Sequence, residues 1–155
     1  MGRKREAMML DKTKVLLKDA IKLAPILLKA EKHDCNDLRA NTVPKKIGVY
    51  LFRSKKDDKI VYVGRALGQK GLYGRVVRQH LHNNYIKSVF RLKIAKQYRR
   101  NLKEGSVTYI KDNFVLSFLP LERNQKELAA FIELILIYEY QPKYNTPVSM
   151  QKKFL

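Results

Sequence analysis

The chain has 155 residues, 45% of them hydrophobic, which is enough to enclose one core, and 33 Lys and Arg against 14 Asp and Glu give a formal net charge of +19. That surplus repels itself on compaction and points to a polyanionic partner, nucleic acid before any other. The single cysteine, Cys35, excludes an intramolecular disulfide framework and a multi-cysteine zinc site, and His33, His80 and His82 do not supply a zinc pattern in its place.

Residues 1–6 (MGRKRE) read as a solvated, charged terminus, and the AMML that follows is too short for a secretory signal. From Asp11 to about Lys32 the pattern is helical. Leu16, Ala20 and Leu23 fall near one stripe, Val15 and Ile26 extend it, and Lys12, Lys14, Lys18 and Lys22 crowd the other side. Pro25 is expected to kink or split this run. Lys22 and Lys29 interrupt its apolar stretch, which is too short to cross a bilayer, so the expectation is a cytoplasmic protein with no membrane partner. Residues 1–45 are read as an N-terminal helical extension and residues 46–155 as the main domain.

The segment Ile47 to Gly64, IGVYLFRSKKDDKIVYVG, has the form of a β-hairpin: two runs rich in Val, Ile, Tyr and Phe flank a polar connection. Tyr50 and Phe52 share one face of the first strand, Val49 and Leu51 the other, and on the second strand Tyr62 is expected to lie with Ile60. Tyr50 and Tyr62 point to the same face only if the loop joining their strands holds an odd number of residues. On the hairpin alone, both are ordinary amphipathic strand tyrosines.

After Gly68 and Gly71 a helix is expected from about Leu72 to His82, with Tyr73, Val77 and Leu81 toward the core and Arg75 on the side of Gln79 and His82. The basic stretch from Ile86 to Lys103 carries Lys87, Arg91, Lys93, Lys96, Arg99 and Arg100. It serves either as a DNA-binding surface or as a solvated helix face. SVTYIKD reads as a short strand or an irregular loop, and Phe114 to Leu119 as a third strand. The last helix is expected to start at Asn124 with Glu127 as its capping-box partner and to stop before Pro142. The expected fold class is therefore α+β, a small, mainly antiparallel three-stranded sheet flanked by helices. Glu133, among Phe131, Ile132, Leu134 and Ile135, is costly unless it joins an arginine or holds a cation.

Together these residues resemble the GIY-YIG nuclease family, in order along the chain: Gly48-Val49-Tyr50, Tyr62-Val63-Gly64, Arg75, Glu133 and Asn145, the last within a QPKYN tail. The resemblance runs from about Ile47 to Asn145. It implies a metal-dependent endonuclease that hydrolyses DNA phosphodiester bonds, leaving a 3′-hydroxyl and a 5′-phosphate. Implied roles are Mg2+, with Mn2+ in its place, on Glu133; phosphate binding by Arg75; a general base or water-orienting group in Tyr50, supported by Tyr62; and an ordering role for Asn145 at the helix end or on a ligand water. Two positions depart from the family pattern. Arg65 stands where lysine is common and cannot release its proton. Gln79 stands where many members carry histidine four residues after the arginine. His80 follows one position later, about 140° from Arg75 around an ideal α-helix, and is the alternative.

The compact length and the QPKYN tail lean toward a restriction-type enzyme, for which a homodimer would supply one active centre per strand. A repair, recombination or mobile-element nuclease is the alternative. So is a noncatalytic nucleic-acid-binding protein, which predicts no clustering of Tyr50, Tyr62, Arg75 and Glu133 in space.

Overall fold

The computed structural model describes residues 2–39, 41–82, 88–99, 101 and 103–147. Its centre is a four-stranded antiparallel sheet in the order β1-β4-β2-β3, from β1 (His33–Asp34), β2 (Gly48–Ser54), β3 (Ile60–Ala66) and β4 (Phe114–Pro120). The α+β class is as expected, with one strand more. The fourth is the two-residue β1, which pairs His33 with Leu116 and Asp34 with Val115, too short for a periodic signal.

β2 lies between β3 and β4, and every residue from Gly48 to Arg53 is buried. Its alternation divides the core in two. Tyr50 and Phe52 join Tyr62, Val76, Phe90, Ile94, Ile110 and Tyr144 on one face. Val49 and Leu51 join Val63, Leu27, Leu128, Ile132 and Leu136 on the other. Each large apolar side chain so enclosed contributes about 1.5–3 kcal/mol relative to exposure.

That second face is covered by α4 (Lys126–Tyr140) and by α1 (Gly2–Leu28) packed on it. α1 starts well before Asp11 and continues through Pro25. Pro25 is exposed, so the Ile21 carbonyl it leaves without an intrahelical donor faces water. Ala20, Ala24 and Leu27 are buried against α4, whereas Val15 and Ile26, assigned from the sequence to the same stripe, are more than half exposed. At its C-terminal end the Leu28 carbonyl accepts from Nη2 of the buried Arg53 at 2.6 Å.

On the first face lie α2 (Val89–Gln97) and α3 (Glu104–Asn113). α3 takes the stretch that reads as strand or loop: Val107, Thr108 and Ile110 favour extended backbone singly, but Ser106 and Ile110 are both buried one helical turn apart. The start of α4 also differs. A turn at Arg123–Gln125 precedes it, and the capping box is Glu122 with Gln125, the Glu122 N–H donating to Gln125 Oε1 at 2.8 Å. The Asn124 and Glu127 pair plays no part in that box.

Candidate active site

The hairpin brings its tyrosines together through an irregularity. Phe52 pairs with Tyr62 and Tyr50 with Gly64, but Arg53 pairs with Ile60, leaving Val61 as an extra residue on β3. The hairpin closes with Ser54 N–H donating to the Lys59 carbonyl, enclosing an even loop. The bulge at Val61 restores the parity that places Tyr50, Phe52 and Tyr62 on one face. The same bulge turns Ile60 away from Tyr62: Val61 packs in the tyrosine cluster and Ile60 against the opposite one.

Tyr50 is fully buried, with its ring directly over Gly64. A Cβ on Gly64 would lie 2.3 Å from the Tyr50 hydroxyl, so no other residue fits beneath it. Tyr62 stacks on Phe90, ring centroids 4.5 Å apart and planes at 6°.

The expected α-helix after Gly71 is a π-helix over Tyr73–His80. Its start is pinned by Leu72 N–H and Tyr73 N–H, which donate to the Lys46 and Pro44 carbonyls. Gly71 there has φ +50° and approaches the Lys46 carbonyl where a Cβ would lie 2.1 Å away. At its end the buried Arg91 donates from Nη1 to the carbonyls of Gln79 (3.0 Å) and His82 (2.5 Å), groups the helix leaves without partners. Closure at i→i+5, as in Leu81 N–H to the Val76 carbonyl at 3.1 Å, brings a residue and its fifth neighbour onto one side. His80 therefore shares the site with Arg75 in place of lying about 140° from it. It is fully buried, its Nε2 2.6 Å from the Tyr50 hydroxyl and its Nδ1 2.7 Å from Ser88 Oγ. His82 remains exposed.

Burial and neighbouring charge set the protonation states. Burial pushes the Tyr50 hydroxyl well above its ordinary range; Tyr62 and Glu133 push the same way, and Arg75 opposes them. Tyr62 is raised by burial too, again with Arg75 opposing and Glu133 assisting. Both are neutral phenols at pH 7. Burial disfavours the charge on Arg75, but Tyr50 and Tyr62 beside it more than compensate and hold the guanidinium protonated. Burial, then Arg75 and Arg91, press His80 well below its usual range, so it is a neutral imidazole. Arg75 Nη1 donates to Gln79 Oε1 at 2.5 Å, while its Nε is a buried donor with no partner.

Glu133, on the side of α4 toward β3, has a side chain 12% exposed, and its Oε2 lies 3.8 Å from Nε of Arg65. Asn145 grips β3: Oδ1 accepts from Val63 N–H at 2.7 Å and Nδ2 donates to the Val63 carbonyl at 2.8 Å. Both amide atoms are thus engaged beside Tyr62 and Gly64. Its place is that of an anchor for the tail, and a ligand water is not needed to explain it.

The basic segment divides. Arg91 is 1% exposed and does not belong to a DNA-binding surface. Besides the two carbonyls it donates from Nε to Ser106 Oγ at 2.9 Å and from Nη2 to the Lys103 carbonyl. Sequence reasoning missed this because an arginine in a basic run carries no mark of burial. Lys93 Nζ donates to the Tyr144 carbonyl at 3.0 Å, fastening the tail. Lys96 and Arg99 are exposed, and Lys87 and Arg100 lie outside the described residues. Ser88, unmarked in sequence, is a buried contact of His80.

Beside the tyrosines opens a cleft of about 620 Å³ lined by Arg65, Lys70, Arg75 and Arg78, with Gln69 and Gln79 and no acidic residue. Four cations around one concavity suit a phosphate. Among the described residues no three His, Cys, Asp or Glu side chains gather as a metal cage. A hard cation that keeps its waters and shares phosphate oxygens needs only one or two carboxylates, and Glu133, a carboxylate 12% exposed beside Arg65, is of the type that requirement takes.

No protein-family model matches the chain. Among solved structures it is similar to the GIY-YIG N-terminal endonuclease domain of UvrC from Thermotoga maritima. The magnesium-bound form gives a TM-score of 0.41 and 23% identity over 69% of this chain and 91% of that one. Two tyrosine-to-phenylalanine forms bound to the catalytic divalent cation each give 0.42 and 21%, covering 69% and 90%. Among curated proteins it is 35% identical over 105 residues to the UvrABC system protein C of Petrotoga mobilis, which is 68% of this chain and 15% of that protein. The chain therefore corresponds to a small part of that relative's length.

Proposed function

We propose that the chain is a metal-dependent endonuclease of GIY-YIG type that hydrolyses phosphodiester bonds in DNA. The observation that carries this reading is the convergence of Tyr50, Tyr62, Arg75, His80 and Glu133 within electrostatic reach of one another, beside a cation-lined cleft. A merely basic binding protein has no reason to gather them. The likeness to UvrABC system protein C favours repair over restriction, against the lean of chain length and tail.

In this mechanism the Arg75 guanidinium, in the wall of the cleft, donates to a phosphate oxygen entering it, and Arg65 and Arg78 add positive charge around it. Tyr50 first gives up its proton to solvent, its ionised form favoured by the gathered cations, and the resulting phenolate orients the attacking water and accepts a proton from it; Tyr62, beside it, feels the same field. Glu133 holds the divalent ion, Mg2+ or Mn2+, which supplies Lewis-acid stabilisation at the phosphate when bound. Asn145 keeps β3 and the tail in register.

Plasmid DNA incubated with the purified chain and Mg2+ tests the reading. Glu133→Ala and Tyr50→Phe are each expected to cut at least about a hundredfold more slowly than the wild type. Unchanged cutting by either variant overturns its assigned role, and no cutting by the wild type in Mg2+ or Mn2+ overturns the function. Sequencing the ends separates the biological types: cuts at branches, flaps or lesions mean repair, whereas one repeated site means restriction.

A further inference from the structure

We propose that Ser88 is a positioning residue that fixes which ring nitrogen of His80 carries the proton, and so makes His80 a hydrogen-bond donor to the oxygen of Tyr50. The assignment comes from counting hydrogens around two fully buried side chains, Ser88 and His80. Ser88 is 0% exposed and caps α2, its Oγ accepting from Arg91 N–H at 3.2 Å and lying 2.7 Å from His80 Nδ1. The His80 ring is held in place by Phe52, Tyr62 and Phe90, whose planes stand at 84°, 79° and 83° to it.

A neutral imidazole has one N–H and one lone pair. With the proton on Nδ1, Ser88 Oγ would accept from both His80 and Arg91, and its own hydroxyl hydrogen would meet no acceptor among the described residues, an unmade bond at a fully buried group. With the proton on Nε2, Ser88 donates to Nδ1, and Nε2–H donates to the Tyr50 oxygen at 2.6 Å. The Tyr50 hydroxyl hydrogen then turns toward Tyr62, with which Tyr50 is electrostatically coupled. Only in this second arrangement do the hydrogens of Ser88, His80 and Tyr50 all find acceptors.

The consequence rests on the nuclease reading and deepens it. His80 does not take the proton of Tyr50, because a second proton on a buried ring beside Arg75 and Arg91 is opposed by both. It steadies negative charge on the Tyr50 oxygen from one side while Arg75 does so from the other. Ser88 touches no reacting atom and acts only through His80.

Long-range proton–nitrogen NMR of the full chain with 15N-labelled histidine reads the tautomer directly, without DNA or metal. The wild type is expected to carry the proton on Nε2, Ser88→Ala to lose that preference, and Ser88→Thr, which keeps the hydroxyl, to retain it. In cleavage, Ser88→Ala is expected to lower kcat about tenfold with KM unchanged, and Ser88→Thr to restore it. A wild-type His80 protonated on Nδ1 overturns the proposal, as does a Ser88→Ala variant with its tautomer unaltered. The wild-type spectrum decides even where Ser88→Ala does not fold. A chain that shows the Nε2–H form and cuts no DNA retains this assignment and loses the nuclease reading; one that cuts DNA with His80 in the Nδ1–H form does the reverse.

Discussion

Gly64 lacks a side chain because the Tyr50 ring occupies the place where one would stand. Gly64→Ala is therefore expected to displace Tyr50 and to destabilise the fold by about 1–3 kcal/mol, measurable by urea unfolding, with the loss of activity exceeding what stability explains. Arg91 is the opposite case, a large charged group inside the core whose Nε, Nη1 and Nη2 each reach a side-chain or backbone acceptor. Arg91→Met leaves buried carbonyls without donors and is expected to cost about 3 kcal/mol or more, in contrast to Lys96→Met on the exposed side of α2, within about 0.5 kcal/mol. Of the candidate residues, Tyr50, Tyr62, Arg75 and Glu133 stand out in the sequence through their resemblance to an ordered family motif, since the hairpin pattern alone marks its tyrosines as ordinary strand residues. Arg91 and Ser88 were not, because nothing in a linear sequence distinguishes a buried arginine from a solvated one or a helix-capping serine from one that also meets a histidine.

At the scale of elements, irregular backbone decides the site. A hairpin read by strict alternation puts Ile60 with Tyr62; the bulge at Val61 separates them. A helix read at 3.6 residues per turn moves His80 away from Arg75; the π-helix returns it. Bulges and π-turns each add one residue to an otherwise regular repeat, and no residue type announces them, so regular periodicity finds these two elements and misplaces their faces. Because the π-helix carries one residue more between Arg75 and His80 than an α-helical turn would, deletion of one of them, such as Gln79, is expected to give an ordinary α-helix that keeps His80 on the Arg75 side. In β3, likewise, deletion of the bulged Val61 would leave a regular ladder with Tyr62 still opposite Phe52, whereas deletion of a paired residue would reverse a face. The buried neutral His80 also sets an acid limit. Its folded-state pKa is depressed, so the unfolded chain binds the extra proton. The resulting stability is complete above the unfolded value near ~6.5 and falls by up to about 1.4 kcal/mol per pH unit below it. Urea titrations at pH 7 and pH 5 should show the drop, and His80→Gln should remove most of it.

On the whole molecule the +19 charge and the cation-lined cleft predict DNA binding that weakens at least about tenfold between ~50 and ~200 mM salt, as fluorescence anisotropy would show. The outward side of α1 exposes Met8, Leu10, Leu17 and Ile21. Pairing of two chains through that side is expected to strengthen with salt as their mutual repulsion is screened, the opposite trend to DNA binding, and sedimentation at two ionic strengths separates the two. At the alkaline end Cys35 is pushed up to about 12 by burial and then by Asp34. Its folded pKa is raised, so stability is full below the unfolded value and is lost as pH rises toward 12. The native thiol should accordingly resist alkylation near neutral pH.

The Asn145 side chain, by bonding both backbone groups of Val63, does for β3 what a neighbouring strand would do. Tyr144 N–H adds a third bond, to the Val61 carbonyl at 2.9 Å. The outer edge of the sheet is thereby closed against strand addition by another chain, a protection that matters in a small sheet dense with valine and isoleucine. A chain ending at Tyr140 would uncover that edge, and light scattering should then register assembly through β-pairing, while Asn145→Ala, keeping the Tyr144 bond, should open it only in part.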